Sequence, residues 1–176
     1  MPKDGTYDLA QICLNGHIIN SSAQTALLHN KDFCPKCGSP TITNCLNCQQ
    51  PIDGDFYVRR GSNWVTGKMH LIKIRDFILP LFCPKCGVLF PWTEKKIEVS
   101  KEIVSECTDL NQEEKELFAK SINDIIKDTP ETILSTNRIK KILAKLGKGV
   151  PEGLMDLIID VASEPAKKIL LSSPEN

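Results

Sequence analysis

Apolar residues change rhythm along this chain near Pro91 and Trp92. Before that point they come in short runs broken by glycines and turn-forming residues, a pattern of short strands and loops. The stretch Met69-His70-Leu71-Ile72-Lys73-Ile74 alternates and reads as one strand, with His70 on its polar face. Asp53 and Asp55 flank Gly54 and read as turn residues. After Trp92 the apolar residues recur at the three- and four-residue spacing of one helix face.

The second half predicts several helices. The first is expected over about Thr93 to Cys107, with Thr93 as its N-cap. Asn111 followed three residues later by Glu114 matches a capping box. It opens a helix with Leu117, Phe118, Ile122, Ile125 and Ile126 on one face. Thr129-Pro130 marks another start, because proline is tolerated in a first turn. The stripe Ile133, Leu134, Ile139, Ile142, Leu143, Leu146 follows, and Gly147 ends it. Pro151 opens the strongly apolar segment Leu154 to Val161, Pro165 is expected to end or kink it, and Ile169 to Leu171 to form a last turn. The expected boundary divides the chain into 1–92 and 93–176.

Composition adds little until the cysteines are counted. The 176 residues carry 22 Lys and Arg against 22 Asp and Glu, so the formal charge is zero, without the basic excess of a typical nucleic-acid binder. Met1 to Gln11 holds Lys3, Asp4 and Asp8 and lacks the apolar core of a secretory signal. No apolar run reaches the roughly 18 residues of a membrane span. The expected setting is the cytoplasm, where paired cysteines serve as metal ligands more often than as disulfides.

Seven of the eight cysteines fall in four short ligand pairs: Cys13-Leu-Asn-Gly-His17, Cys34-Pro-Lys-Cys37-Gly, Cys45-Leu-Asn-Cys48 and Cys83-Pro-Lys-Cys86-Gly. Two residues between thiols let a turn aim both sulfurs at one ion about 2.3 Å away. Proline after the first cysteine presets that turn, and glycine after the second tolerates positive φ. Two such pairs make a closed tetrahedral site for a structural Zn²⁺. Four pairs allow three pairings. Both halves end in the same Phe-Cys-Pro-Lys-Cys-Gly text, from Phe33 and from Phe82, which favours sequential pairing. One ion then takes Cys13, His17, Cys34 and Cys37, and the other takes Cys45, Cys48, Cys83 and Cys86. A cross-braced arrangement, first pair with third, is the alternative. His17 completes the first pair, and His29, outside any knuckle spacing, is its substitute. Cys107 has no partner in sequence and reads as a small apolar helix residue.

The text Cys13-x-Asn-Gly-His17 with Phe33-Cys-Pro-x-Cys-Gly38 resembles a widespread bacterial zinc-ribbon pattern. Adding Cys45-x-x-Cys48-x-x-Pro51-Ile52-x-Gly54, Phe82-Cys-x-x-Cys-Gly87 and Pro91-Trp92-Thr93-Glu94, the chain is similar to a family of uncharacterised bacterial proteins with a double zinc ribbon and a helical tail. The resemblance implies the fold and the metal. It names no reaction.

The expected fold class is α+β: two small zinc ribbons of short β-hairpins, then an α-helical region. The expected cofactor is two structural Zn²⁺ ions. The expected function is a non-enzymatic interaction or adaptor protein, with a protein partner or self-association through the apolar C-terminal helices, and no membrane. The alternative is nucleic-acid binding by Arg59, Arg60, Trp64 and Lys68, basic and aromatic residues interleaved between Cys48 and Cys83. Charge speaks against it. Before residue 93, nine Lys and Arg against six Asp and Glu leave +3, which seven thiolates around two divalent ions cancel. The cluster Arg138, Lys140, Lys141, Lys145 and Lys148 reads as the wet face of a helix. An enzyme is not expected. No three-ligand zinc site, nucleophile elbow or phosphate loop appears, and Gly147-Lys148-Gly149 lacks the spacing of the last.

Overall fold

The computed structural model describes residues 5–62 and 69–172; at 59–62, 69–71 and 148 it describes the backbone alone. The chain divides into two compact units, Met1–Trp92 and Thr93–Asn176. The architecture is α+β, with short antiparallel strands in the first unit and helices in the second.

Among the described residues of the first unit, six short strands are formed: β1 (Gly5–Leu9), β2 (Gln11–Cys13), β3 (Ile18–Asn20), β4 (Thr41–Ile42), β5 (Asp53–Ser62) and β6 (Met69–Arg75). They form two antiparallel sheets, ordered β1-β5-β6 and β3-β2-β4. Ala10 links the sheets, and its N–H donates to the Ile52 carbonyl at 2.8 Å. Gly54 sits where three backbones crowd: a Cβ there would lie 2.2 Å from the Ser21 carbonyl oxygen and 2.9 Å from the Leu9 carbonyl carbon. Only glycine fits that approach.

Asp55 is not a turn residue. It lies inside β5, buried, and gathers the loop after β3 onto the sheet. Ser21 and Ser22 donate their hydroxyls to it at 2.8 and 3.0 Å, Phe77 its N–H at 3.0 Å, and Lys73 its ammonium at 3.1 Å. Burial by itself would raise this carboxyl. The Ser21, Lys73 and Ser22 contacts outweigh burial and hold it below the usual 3.8.

The core of the first unit is small, and cysteine sulfurs are part of it. Ala10, Ile12, Ile52, Phe90 and Trp92 pack with Cys45 and Cys83, and Cys48 and Cys86 lie against the same cluster. The Phe90 and Trp92 rings stack at 4.6 Å with 11° between planes, and Trp92 Nε1–H donates to the Pro80 carbonyl at 2.8 Å.

The second unit comprises α1 (Pro91–Glu106, which starts at the boundary), α2 (Gln112–Ile125), α3 (Glu131–Leu146), α4 (Leu154–Val161) and α5 (Glu164–Leu171). α1 begins two residues before the expected Thr93. Pro91 takes its first position, and Thr93 is buried inside the helix. The Asn111–Glu114 capping box forms with both bonds at 2.9 Å, and Glu114 also pairs with Lys145 at 2.8 Å. Phe118, Ile122 and Ile125 of α2, Ile139 of α3, and Leu154, Ile158 and Val161 of α4 are fully buried, each stabilising the unit by about 1.5–3 kcal/mol.

Two helical details depart from the sequence reading. In α3 the buried residues of the first turns are Thr132, Ser135 and Thr136, while Ile133 and Leu134 are 57% and 54% exposed. The hydroxyls tolerate burial because each has an acceptor: Thr132 donates to the Lys127 carbonyl at 2.6 Å, Ser135 to the Asp124 carboxylate at 2.9 Å, and Thr136 to the Thr132 carbonyl at 2.6 Å. Pro165 does not end a helix. It occupies the first turn of α5, so the chain has a two-turn helix where a single turn was expected.

Candidate metal centres

Three of the four ligand pairs are built alike. In each, the first cysteine donates its N–H to the carbonyl five residues on, and accepts from the amide of the fourth residue through its own carbonyl. For Cys34 the partners are Ser39 and Gly38, both at 2.8 Å. For Cys45 they are Gln50 at 2.8 Å and Gln49 at 2.9 Å, and for Cys83 Val88 and Gly87, both at 2.9 Å. A single antiparallel bridge closes each turn: Phe33 with Pro40, Asn44 with Pro51, Phe82 with Leu89. The fourth residue takes positive φ every time, at 69° for Gly38, 59° for Gln49 and 73° for Gly87. The leading pair is different. Gly16 at φ 86° turns the chain back, so that Cys13 and His17 share one knuckle. A Cβ on Gly16 would lie 2.9 Å from the Trp92 Cβ, so the aromatic core packs directly on this turn.

The structure brings the eight donors into two groups in chain order. Cys13, His17, Cys34 and Cys37 form the first group and Cys45, Cys48, Cys83 and Cys86 the second, and within each all donor atoms lie within 4.8 Å of one another. His17 contributes Nδ1, 3.5 Å from the sulfurs of both Cys13 and Cys34. Cys13 and Cys37 sulfurs are 3.8 Å apart, Cys45 and Cys86 3.8 Å, and Cys48 and Cys83 3.6 Å. These spacings are far beyond the roughly 2.05 Å of a disulfide bond, and all eight cysteines are free.

The same spacings test the fit to an ion. A regular tetrahedron with zinc–sulfur bonds of about 2.3 Å has sulfur–sulfur edges of about 3.8 Å. With a zinc–nitrogen bond of about 2.0–2.1 Å, the sulfur–nitrogen edge is about 3.6 Å. These five edges match both values, and every other edge stays within 4.8 Å, so the two groups can each hold one metal ion of zinc's size and softness. Four protein donors leave no position open for a substrate.

Hydrogen bonds to the sulfurs complete the site. Asn15 donates its side-chain amide to Cys37 at 3.4 Å and to the Ser39 hydroxyl at 2.7 Å, and the His17 N–H donates to Cys13 at 3.3 Å. The Ser39 amide, aided by the Asn15 and Ser39 side chains, draws the Cys37 thiol down to about 5. The Val88 amide, aided by the Asn47 side chain, takes Cys86 to about 6. Cys48 goes the other way. Although the Gln50 amide lowers it, burial and the sulfurs of Cys86, Cys83 and Cys45 push it up to about 12. Cys13 is raised too, first by burial. A bound divalent ion supplies the charge that lets crowded thiols coexist as thiolates.

Asn15 and Asn47 escaped the sequence reading. Each lies two residues after the first cysteine of a leading pair, in the repeated text Cys-Leu-Asn, and each serves the second cysteine of the trailing pair. The repetition was the available signal.

His29 closes the short 3₁₀ turn Leu27–His29 and is not among the donors. Cys107 follows α1, half-buried, its sulfur 3.4 Å from the Ile103 carbonyl. Of the residues named for nucleic-acid contact, Trp64 and Lys68 lie outside the described residues, and Arg59 and Arg60 are described only as backbone in β5. Among the described residues, no helix is long and apolar enough to cross a membrane.

A family model described as "Uncharacterized protein conserved in bacteria (DUF2321)" matches residues 6–170. No curated protein and no solved structure matches the chain.

Proposed function

The chain belongs to this uncharacterized bacterial family, and from that premise we propose that it is a zinc-stabilised, non-enzymatic interaction protein. Each donor group holds one Zn²⁺ in a structural role. The observation that carries this is the match between the donor edges, 3.5 Å for nitrogen–sulfur and 3.6 to 3.8 Å for sulfur–sulfur, and those of a closed tetrahedral site.

The physical need for metal supports the same reading. Cysteines make up a large share of the first unit's small core, and sulfurs without an ion between them contribute little cohesion. The binding role rests on apolar side chains left in the open: Leu28 at 94% exposed and Phe33 at 64% on the first unit, Ile133 and Leu134 on the second. The apolar α4 is a poorer candidate for self-association, because Leu154, Ile158 and Val161 are already fully buried.

Native mass measurement tests the metal assignment. The expected result is two zinc ions per chain, with Cys37→Ser or Cys86→Ser weakening one centre and leaving the other loaded. One ion per chain, or a variant at one group that empties both, would overturn the proposal of two independent structural centres.

A further inference from the structure

Beside the first donor group lies a cavity of about 380 Å³ between β3 and the Cys34–Cys37 knuckle. Its polar lining is one-sided. His17, His29, Lys31 and Lys36 face it beside the neutral Asn20 and Ser21, and among the described residues no Asp or Glu does. Both lysines are exposed, and among the described residues neither ammonium has an ion pair or a hydrogen bond, so both are free to meet a ligand. Keeping two unpaired ammonium groups on one concave wall repels cations and leaves donors without protein acceptors.

His17 adds to this. Its Nδ1 faces the sulfurs, so in the ligand tautomer the ring proton sits on Nε2, the nitrogen that remains for another partner. The charge of the centre itself must be counted: three thiolates, a neutral imidazole and a divalent ion leave −1. Two lysines exceed that, so the hollow stays cationic. The contrast within the same unit is a cleft of about 250 Å³, where Arg75 is accompanied by Asp53 and Asp76.

We propose that the hollow beside the first centre is a phosphate-binding site. Two ammonium groups and imidazole N–H donors suit an anion with several acceptor oxygens, and the volume exceeds a phosphate group, leaving room for the molecule that carries it. The carrier is a free nucleotide or a nucleic-acid strand, two sources of the same phosphate chemistry. This goes beyond the structural role of zinc and stands without it, since the donors concerned are side chains outside the metal's own ligands, His17 Nε2 excepted.

The test uses the zinc-loaded full chain at constant ionic strength, with chloride as the balancing anion. Amide resonances of residues 18–21 and 31–36 are followed by NMR while inorganic phosphate, adenosine monophosphate or a 15-nucleotide oligothymidine is added. The expected result is saturable shifts confined to these residues, weakened about tenfold in Lys31→Gln/Lys36→Gln, a double variant of exposed residues whose zinc content is unchanged. Tighter binding of the oligonucleotide than of the mononucleotide assigns the strand as source, and the reverse assigns the free nucleotide. Shifts that never saturate with any of the three, or saturable shifts that the double variant leaves untouched, would overturn the site.

Discussion

Gln49 is the one non-glycine residue with positive φ among the described residues, and it occupies the turn position that Gly38 and Gly87 hold in the sister knuckles. All three have their N–H bonded to the first cysteine's carbonyl at 2.8 to 2.9 Å, so the backbone demand is the same. A side chain in this left-handed conformation costs about 1–2 kcal/mol, and glycine's greater freedom in the unfolded chain returns about 0.5–1 kcal/mol of that. The Gln49 side chain offers little in compensation, its best contact being 3.5 Å to the Leu46 carbonyl at an exposed position. Gln49→Gly is therefore expected to stabilise the second centre by about 0.5–1 kcal/mol. Gly87→Ala is the mirror test. A Cβ there meets nothing within 4 Å, so the whole cost is conformational and should be of the same size with the opposite sign. With folding and metal binding coupled as proposed, 1 kcal/mol corresponds to about fivefold in zinc affinity. Competition with a chelator of known affinity reads this directly. Gln49→Gly should tighten the second centre up to about fivefold, Gly87→Ala loosen it similarly, and the double variant return near the starting value. If Gln49→Gly leaves affinity unchanged while Gly87→Ala lowers it, the reasoning from backbone strain is wrong.

Three further outcomes are expected. Asn15→Ala and Asn47→Ala should each weaken their own centre about tenfold and spare the other, measured by the same competition. Asp55→Asn should cost about 2–3 kcal/mol at neutral pH. Because the folded carboxyl lies below its usual 3.8, the contribution is complete above that value and is lost as pH falls through the lower folded one, so wild type and variant should converge only in that acid range. The check is hydrogen exchange in the β1-β5-β6 sheet. Chelation should abolish exchange protection in the first unit while most far-UV helix signal persists, since the described helices lie almost wholly in the second. A proportional loss of both signals would show that the second unit depends on the metal as well.

What could be read from the chain follows the range of the interactions that decide each feature. Ligand spacing is local, so the cysteine pairs and the Asn111–Glu114 cap were legible as text, and the repeated Phe-Cys-Pro-Lys-Cys-Gly carried the pairing. Asp55 was misread because Asp-Gly-Asp looks like a turn, while its partners Ser21, Ser22 and Phe77 lie more than twenty residues away. In α3, apolar Ile133 and Leu134 pointed to the wrong face. Buried hydroxyls with carbonyl and carboxylate acceptors imitate an apolar surface, and no hydrophobic pattern records them. Pro91 and Pro165 were both undervalued as helix starters. Proline looks the same in sequence whether it ends one helix or opens the next, and the preceding chain direction decides which.

X-ray absorption at the zinc edge tests the central claim most directly. Two closed centres predict a first shell averaging seven sulfurs and one nitrogen over two ions, at about 2.3 and 2.0–2.1 Å, with no oxygen. An oxygen ligand in the shell, or a sulfur count well short of that ratio, would contradict it.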